Sequence, residues 1–264
     1  MKAGFTMKAL SLAVLGLAGY AFAGSALAVC PSTVSPPWSS VNTGGGGTVS
    51  VVDVGYNGTS CKLQAVVGSS TIARAGVVDD TPADETRYRA RFYINASALS
   101  NLTTLNTTRI FTAAAANQFP ATGGSALIVQ MNLLGVGGTP TVRIFTADTA
   151  GTSPGATCSG NRCFKDVALT GSADGTYRIE VDVQMGTTGN TNGSVRYWVT
   201  PAATATTDGA PTGTITGLNN SSWVGVTQVV LGLANLSSGF RTANVGKNVF
   251  YDEFDSRRTT FIGQ

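Results

Sequence analysis

Histidine is absent from the 264 residues. That excludes a Ser-His-Asp triad, a histidine-based zinc site and an imidazole general base. Charge is scarce as well: Asp, Glu, Lys and Arg make up 12% of the chain, about half the usual share. The 17 Lys and Arg nearly balance 14 Asp and Glu, and two of the lysines, Lys2 and Lys8, sit in the leading segment. No whole-molecule field is left to attract nucleic acid or an anionic membrane, so neither is expected as a partner. Beyond residue 23 no apolar run is long enough for a helical membrane span. Strong helix formers give way to Gly, Ser, Thr and Asn, the residues of turns and strands.

The first 28 residues read as an export signal. Lys2 and Lys8 give a positive start, an apolar run covers 9–23, and Ser25-Ala26-Leu27-Ala28 supplies a small-x-small cleavage site. The run is too short for a stable span. Cys30 raises a lipid-anchored alternative, but Val29 stands where such a site needs a small residue. The expectation is therefore a secreted protein: periplasmic, cell-surface or extracellular. Residues 29–46, with Pro31, Pro36, Pro37 and Gly44 to Gly47, read as a tether in which only Trp38 has surface to bury. Residues 47–264 are enough for one sizeable core.

Four cysteines in an exported chain favour disulfides. The Cys158-Ser-Gly-Asn-Arg-Cys163 segment reads as a loop clipped at its ends, which leaves Cys30 with Cys61. A four-cysteine zinc site would need close pairs that the spacing lacks.

From residue 48 onward the hydrophobic period is mostly two. Strands are expected over 48–54, 62–67, 72–78, 86–94, 109–112, 126–134, 141–146, 164–169, 177–185, 194–200, 224–236 and 248–254. Turn signals such as Asp174-Gly175, Asn192-Gly193 and Asp208-Gly209 separate them. One short helix is expected within 97–105. About a dozen strands with turns predict an all-β sandwich.

Several strands carry a polar face. Over 86–94, Tyr88, Ala90, Phe92 and Ile94 share one side, and Arg87, Arg89, Arg91 and Tyr93 the other. Glu180 and Asp182 oppose Ile179, Val181 and Val183; Arg196 and Trp198 oppose Val195, Tyr197 and Val199. On one sheet, Arg89 and Arg91 would neutralise Glu180 and Asp182 across strands. The candidate ligand-binding set is Arg87, Arg89, Arg91, Tyr93, Glu180, Asp182, Arg196 and Trp198. It describes either a sugar groove, with Trp198 or Tyr93 stacked on a ring, or a solvated ladder of charges. No catalytic residue is assigned. Asp79, Asp80, Asp84 and Glu85 form a carboxylate cluster able to hold Ca²⁺, or a solvated turn that caps Arg87.

Three segments in this order resemble a known superfamily: Glu85-Thr86-Arg87-Tyr88-Arg89-Ala90-Arg91-Phe92-Tyr93-Ile94, Tyr177-Arg178-Ile179-Glu180-Val181-Asp182-Val183, and Val249-Phe250-Tyr251-Asp252-Glu253-Phe254-Asp255. The chain resembles bacterial secreted domains of the concanavalin A-like, laminin G-like jelly-roll superfamily over roughly 48–258. That resemblance implies a two-sheet antiparallel jelly-roll sandwich. It also implies a company of lectins, carbohydrate-binding modules, adhesive domains and some glycan-cleaving enzymes. Glu180-x-Asp182 is similar to the start of the Glu-x-Asp-x-x-Glu run of laminarinase-like hydrolases. Met185 or Gly186 stands where the acid/base should be, and neither can donate a proton. The expected function is thus a secreted, non-catalytic, lectin-like domain for a polysaccharide. The alternatives are a glycan-cleaving hydrolase or lyase, and a self-assembling surface or filament component.

Overall fold

The computed structural model describes residues 30–115, 126–205, 209–258, 260 and 262; the export signal expected over 1–28 lies outside the described residues. In chain order the strands are β1 (Ser40–Gly44), β2 (Thr48–Asp53), β3 (Cys61–Val66), β4 (Arg74–Asp79), β5 (Arg87–Asn95), β6 (Thr108–Ala114), β7 (Leu127–Val136) and β8 (Thr139–Ala147). They continue with β9 (Thr157–Ser159), β10 (Arg162–Ala168), β11 (Thr176–Gln184), β12 (Gly193–Pro201), β13 (Gly213–Leu218) and β14 (Gln228–Ala234). A short helix, α1 (Ser238–Asn244), precedes β15 (Asn248–Arg257). Sheet A runs β1-β4-β14-β6-β7-β8-β10-β9, and sheet B runs β13-β12-β11-β5-β15-β3-β2. Every named pairing is antiparallel, which makes the molecule a two-sheet sandwich of the jelly-roll class.

Alternation explains the core. Tyr88, Ala90, Phe92 and Ile94 of β5 and Ile179, Val181 and Val183 of β11 turn inward and are buried. Ile110 and Phe111 of β6 and Ile128 of β7 meet them from sheet A. Phe92 and Phe111 stack across the interior with ring centroids 5.4 Å apart. Each fully buried ring contributes roughly 1.5–3 kcal/mol of transfer free energy. Cys30–Cys61 and Cys158–Cys163 are the two disulfides, as the spacing suggested.

Two expectations are corrected. The tether expected over 29–46 is replaced, in its second half, by a strand: β1 pairs with β4 from Ser40↔Val78 to Gly44↔Arg74 and forms the edge of sheet A. The prolines all precede the strand, and the turn into β2 is made by Gly45 and Gly46 at φ of 58° and 81°. Trp38 packs on Phe254 at 4.8 Å. The helix expected within 97–105 does not form. Asn95 Oδ1 accepts from Ser97 N and Oγ, and Asn101 turns left-handed at φ 54°. The helix is α1 instead, capped by the Ser237 hydroxyl, which accepts from Phe240 N.

Candidate functional site

The outer face of sheet B assembles the whole set expected from the sequence. Register places Glu180 opposite Arg91, Asp182 opposite Arg89, and Arg196 and Trp198 opposite Asp182 and Glu180. Asp182 is the hub. It accepts from Arg87 Nε at 3.3 Å, from Arg89 Nη2 at 2.8 Å and from Arg196 Nε at 3.0 Å. Its carboxyl group is held below the usual aspartate range: burial pushes it up, but hydrogen bonds from Arg87, Arg196 and Arg89 outweigh that. Arg91, opposite Glu180, reaches a further carboxylate as well. It forms an ion pair with Glu253 at 3.5 Å, where a bulge between Asp252 and Asp255 brings Glu253 within reach.

This face is neither an open groove nor a solvated ladder. Arg89, Arg91, Arg178, Glu180, Asp182 and Trp198 are buried. The β12–β13 loop covers Trp198, whose Nε1 donates to Gly209 O at 2.8 Å, leaving it 3% exposed. The segment after β15 crosses Glu180, whose Oε1 accepts from Ile262 N at 3.0 Å. Trp198 is therefore unavailable to stack on a sugar. Tyr93 is covered too, by Tyr56 at a centroid distance of 4.8 Å.

The carboxylates of the 79–85 loop take separate partners. Asp79 accepts from Thr81 N, Asp80 accepts from Gln228 Nε2, and Glu85 pairs with Arg258 at 2.7 Å. Among the described residues, the three metal-ligating side chains that converge are Asp148, Cys158 and Cys163. The two sulfurs there are joined in the disulfide.

The outer face of sheet A holds a second constellation that the sequence reading missed. Arg109, Asn132, Arg143 and Asp166 lie in one cross-strand row through β6, β7, β8 and β10. Beside it, Gln130 stands opposite Phe145, and Phe145 opposite Phe164. Gln130 Nε2 donates to Asn132 Oδ1 at 2.6 Å, and its Oε1 accepts from Arg162 Nη1 at 3.1 Å. Arg143 pairs with Asp166 at 2.7 Å and lies over Phe164, 4.2 Å from the ring centre. Arg162 lies over Phe145 at 5.2 Å.

Two of these cations lack counter-charges. Among the described residues no carboxylate ion-pairs with Arg109 or Arg162. Arg109 Nε, Arg162 Nε and Arg162 Nη2 are buried without hydrogen-bond partners. Burial lowers the Arg109 guanidinium, and burial plus the neighbouring Arg109 brings Arg162 down to about 10. Both remain cationic at neutral pH. Two half-buried guanidinium groups close enough to repel, with the Gln130 and Asn132 amides beside them, are chemically suited to an oxyanion such as a carboxylate.

The architecture has solved counterparts. An endo-β-1,4-glucuronan lyase from the fungus Trichoderma reesei superposes with a TM-score of 0.56 at 14% identity, covering 88% of this chain and 95% of that one. A marine alginate lyase from Aplysia kurodai gives 0.53 at 12% identity, covering 79% and 87%. The alginate lyase Aly36B gives 0.51 at 14% identity, covering 76% and 82%. At these identities the likeness shows the shared fold. No family model matches the sequence. No curated protein matches it either.

Proposed function

We propose that this protein acts on an acidic polysaccharide, cleaving it by elimination at a uronate whose carboxylate is held by Arg109 and Arg162. The observation that supports the reading is a pair of neighbouring half-buried arginines, Arg109 and Arg162, with no carboxylate partner among the described residues and with Arg109 Nε, Arg162 Nε and Arg162 Nη2 buried. Elimination passes the C5 proton of a uronate to a base, which would be solvent hydroxide since the residues named here supply none, expels the O4-linked sugar, which takes a proton from water, and leaves a C4=C5 double bond. Neutralising the carboxylate acidifies that C5–H and stabilises the negative charge that develops. Arg109 and Arg162 would supply the charge, and the Gln130 and Asn132 amides would fix the orientation of the sugar. Solved proteins that share the fold are described as glucuronan and alginate lyases, which favours cleavage over a purely lectin-like role.

One observation favours a second reading, binding without cleavage. Arg109, Gln130, Asn132, Arg143, Phe145, Arg162 and Phe164 include no tyrosine, lysine or histidine to move the C5 proton. Incubation with glucuronan and with alginate separates the two readings. A lyase raises the ultraviolet absorbance of the unsaturated product, and Arg109→Ala abolishes the rise. A binding module is retarded in a gel containing the same polysaccharide and releases nothing. If wild-type protein neither cleaves nor is retarded by any acidic polysaccharide, the proposal fails.

A further inference from the structure

A cleft of about 330 Å³ opens on the outer face of sheet B, beside the buried ion-pair network and on the opposite side of the sandwich from Arg109. Its walls are Tyr56, Tyr93, Lys62, Phe250, Asn95 and Asp174. We infer that this cleft is a separate sugar site, which takes one uncharged pyranose ring stacked on Tyr56.

The stack supplies the platform. Tyr56 lies nearly parallel to Tyr93, with 25° between the rings. Tyr93 is only 2% exposed, so the outer face of Tyr56 is the one offered to a ligand. The loop that presents Tyr56 is held rigidly. Asp252 Oδ2 accepts from both Tyr56 N and Thr59 Oγ1. A Cβ on Gly55 would lie 2.0 Å from Thr59 Oγ1, so only glycine fits there. Val54 is forced to φ 60° while 75% exposed, a conformation β-branched residues avoid. An apolar side chain left in solvent on a strained backbone marks the rim of a cleft that is shaped before any ligand arrives.

The polar groups fit hydroxyls better than a carboxylate. Lys62 Nζ sits 4.4 Å above the Phe250 ring and can donate into the cleft. Asp174 stays ionised: burial pushes it up, but bonds from Thr176 and Ser172 more than offset this. Burial first, then the negative charges of Asp174 and Glu253, raise the Tyr56 phenol, which remains a donor at neutral pH. One cation faces the carboxylates of Asp174 and Asp252. A uronate would meet both of them; a neutral ring meets donors and acceptors without a charge to desolvate. The size matches the lower end of small-ligand pockets, about 300 Å³.

Titration of the isotope-labelled protein with cellotetraose, laminaritetraose and xylotetraose, followed by amide chemical shifts, tests the site. At least one of them is expected to shift Gly55, Tyr56, Asn95 and Ser97. Tyr56→Ala should weaken that binding about tenfold or more. Lys62→Met, which leaves the platform intact, should also weaken it. Arg109→Ala should leave it unchanged, so failure of the acidic-polysaccharide reading and failure of this one are told apart. The inference is overturned if none of the three moves these amides. It is equally overturned if an alginate tetrasaccharide binds the cleft as tightly as they do, or if both variants bind like wild type.

Discussion

Arg162 donates from Nη1 to Gln130 Oε1 over 3.1 Å, yet its Nε and Nη2 stay buried without partners. One neutral amide oxygen is a poor exchange for the water this guanidinium gives up on folding. Its neighbour Arg109 adds repulsion rather than relief. Such an arrangement weakens the protein alone, and a bound anion would relieve it.

Arg109→Gln should therefore separate stability from function. The variant is expected to melt at or above the wild-type temperature, because one of two like charges is removed. Its retardation in an alginate or glucuronan gel should disappear. Thermal melts beside affinity electrophoresis check both halves; a large fall in melting temperature would mean that Arg109 is a structural group.

Asp182 presents the opposite case. It neutralises Arg87, Arg89 and Arg196 from a position 2% exposed. Asp182→Asn should cost about 3–5 kcal/mol, since three guanidinium groups lose their counter-ion. Chemical denaturation at neutral pH measures the loss. The carboxyl group is depressed in the fold, so its contribution is present above the unfolded value, near pH 4, and fades as pH falls through the lower folded value. Melting temperature followed below pH 4 should drop in the wild type and stay flatter in Asp182→Asn.

The alkaline side is governed by buried phenols. Burial raises Tyr88 and Tyr251 far above the usual tyrosine range. Their neutral forms are favoured in the fold, so the contribution is complete below about pH 10 and is lost as pH rises beyond it. In an ultraviolet titration, these two tyrosines should ionise only together with unfolding. Tyrosinate absorbance from all tyrosines before any change in circular dichroism would contradict this.

The two disulfides should differ in weight. Cys30–Cys61 spans 31 positions and Cys158–Cys163 only 5. In the loop-entropy treatment the longer closure contributes about 1.5 kcal/mol more. Cys30→Ser with Cys61→Ser should lower denaturant stability more than Cys158→Ser with Cys163→Ser.

Alternation along single strands was enough to find twelve strands and the residues they turn inward. It also brought Arg89, Asp182, Arg196 and Trp198 onto one face, because cross-strand neighbours follow once the strands share a sheet. The covering of that face was not legible. Gly209 and Ile262 reach it from stretches of sequence with no hydrophobic period to read. β1 hid behind prolines and glycines, β9 has only three residues, and Gly213 and Gly217 thin the alternation of β13. Arg109 and Arg162 sit in strands that are not neighbours, and their proximity emerges only when β7 and β8 are known to lie between β6 and β10. Two lone arginines in sequence carry no sign of that meeting, nor of the missing carboxylate. α1 leaves little trace in the sequence: Ser237 can cap, but no Glu or Gln follows three residues on and Gly239 stands in the first turn.

The place of β15 has a consequence for how the molecule is made. It lies between β5 and β3, with Phe250 beside both Asn95 and Gln64. Strands laid down early must wait, edges unpaired, until the last one slots between them. Sheet B is therefore sealed only after residues 248–257 have been delivered, and a chain halted before residue 248 leaves a gap inside a sheet rather than a shorter version of the same sandwich.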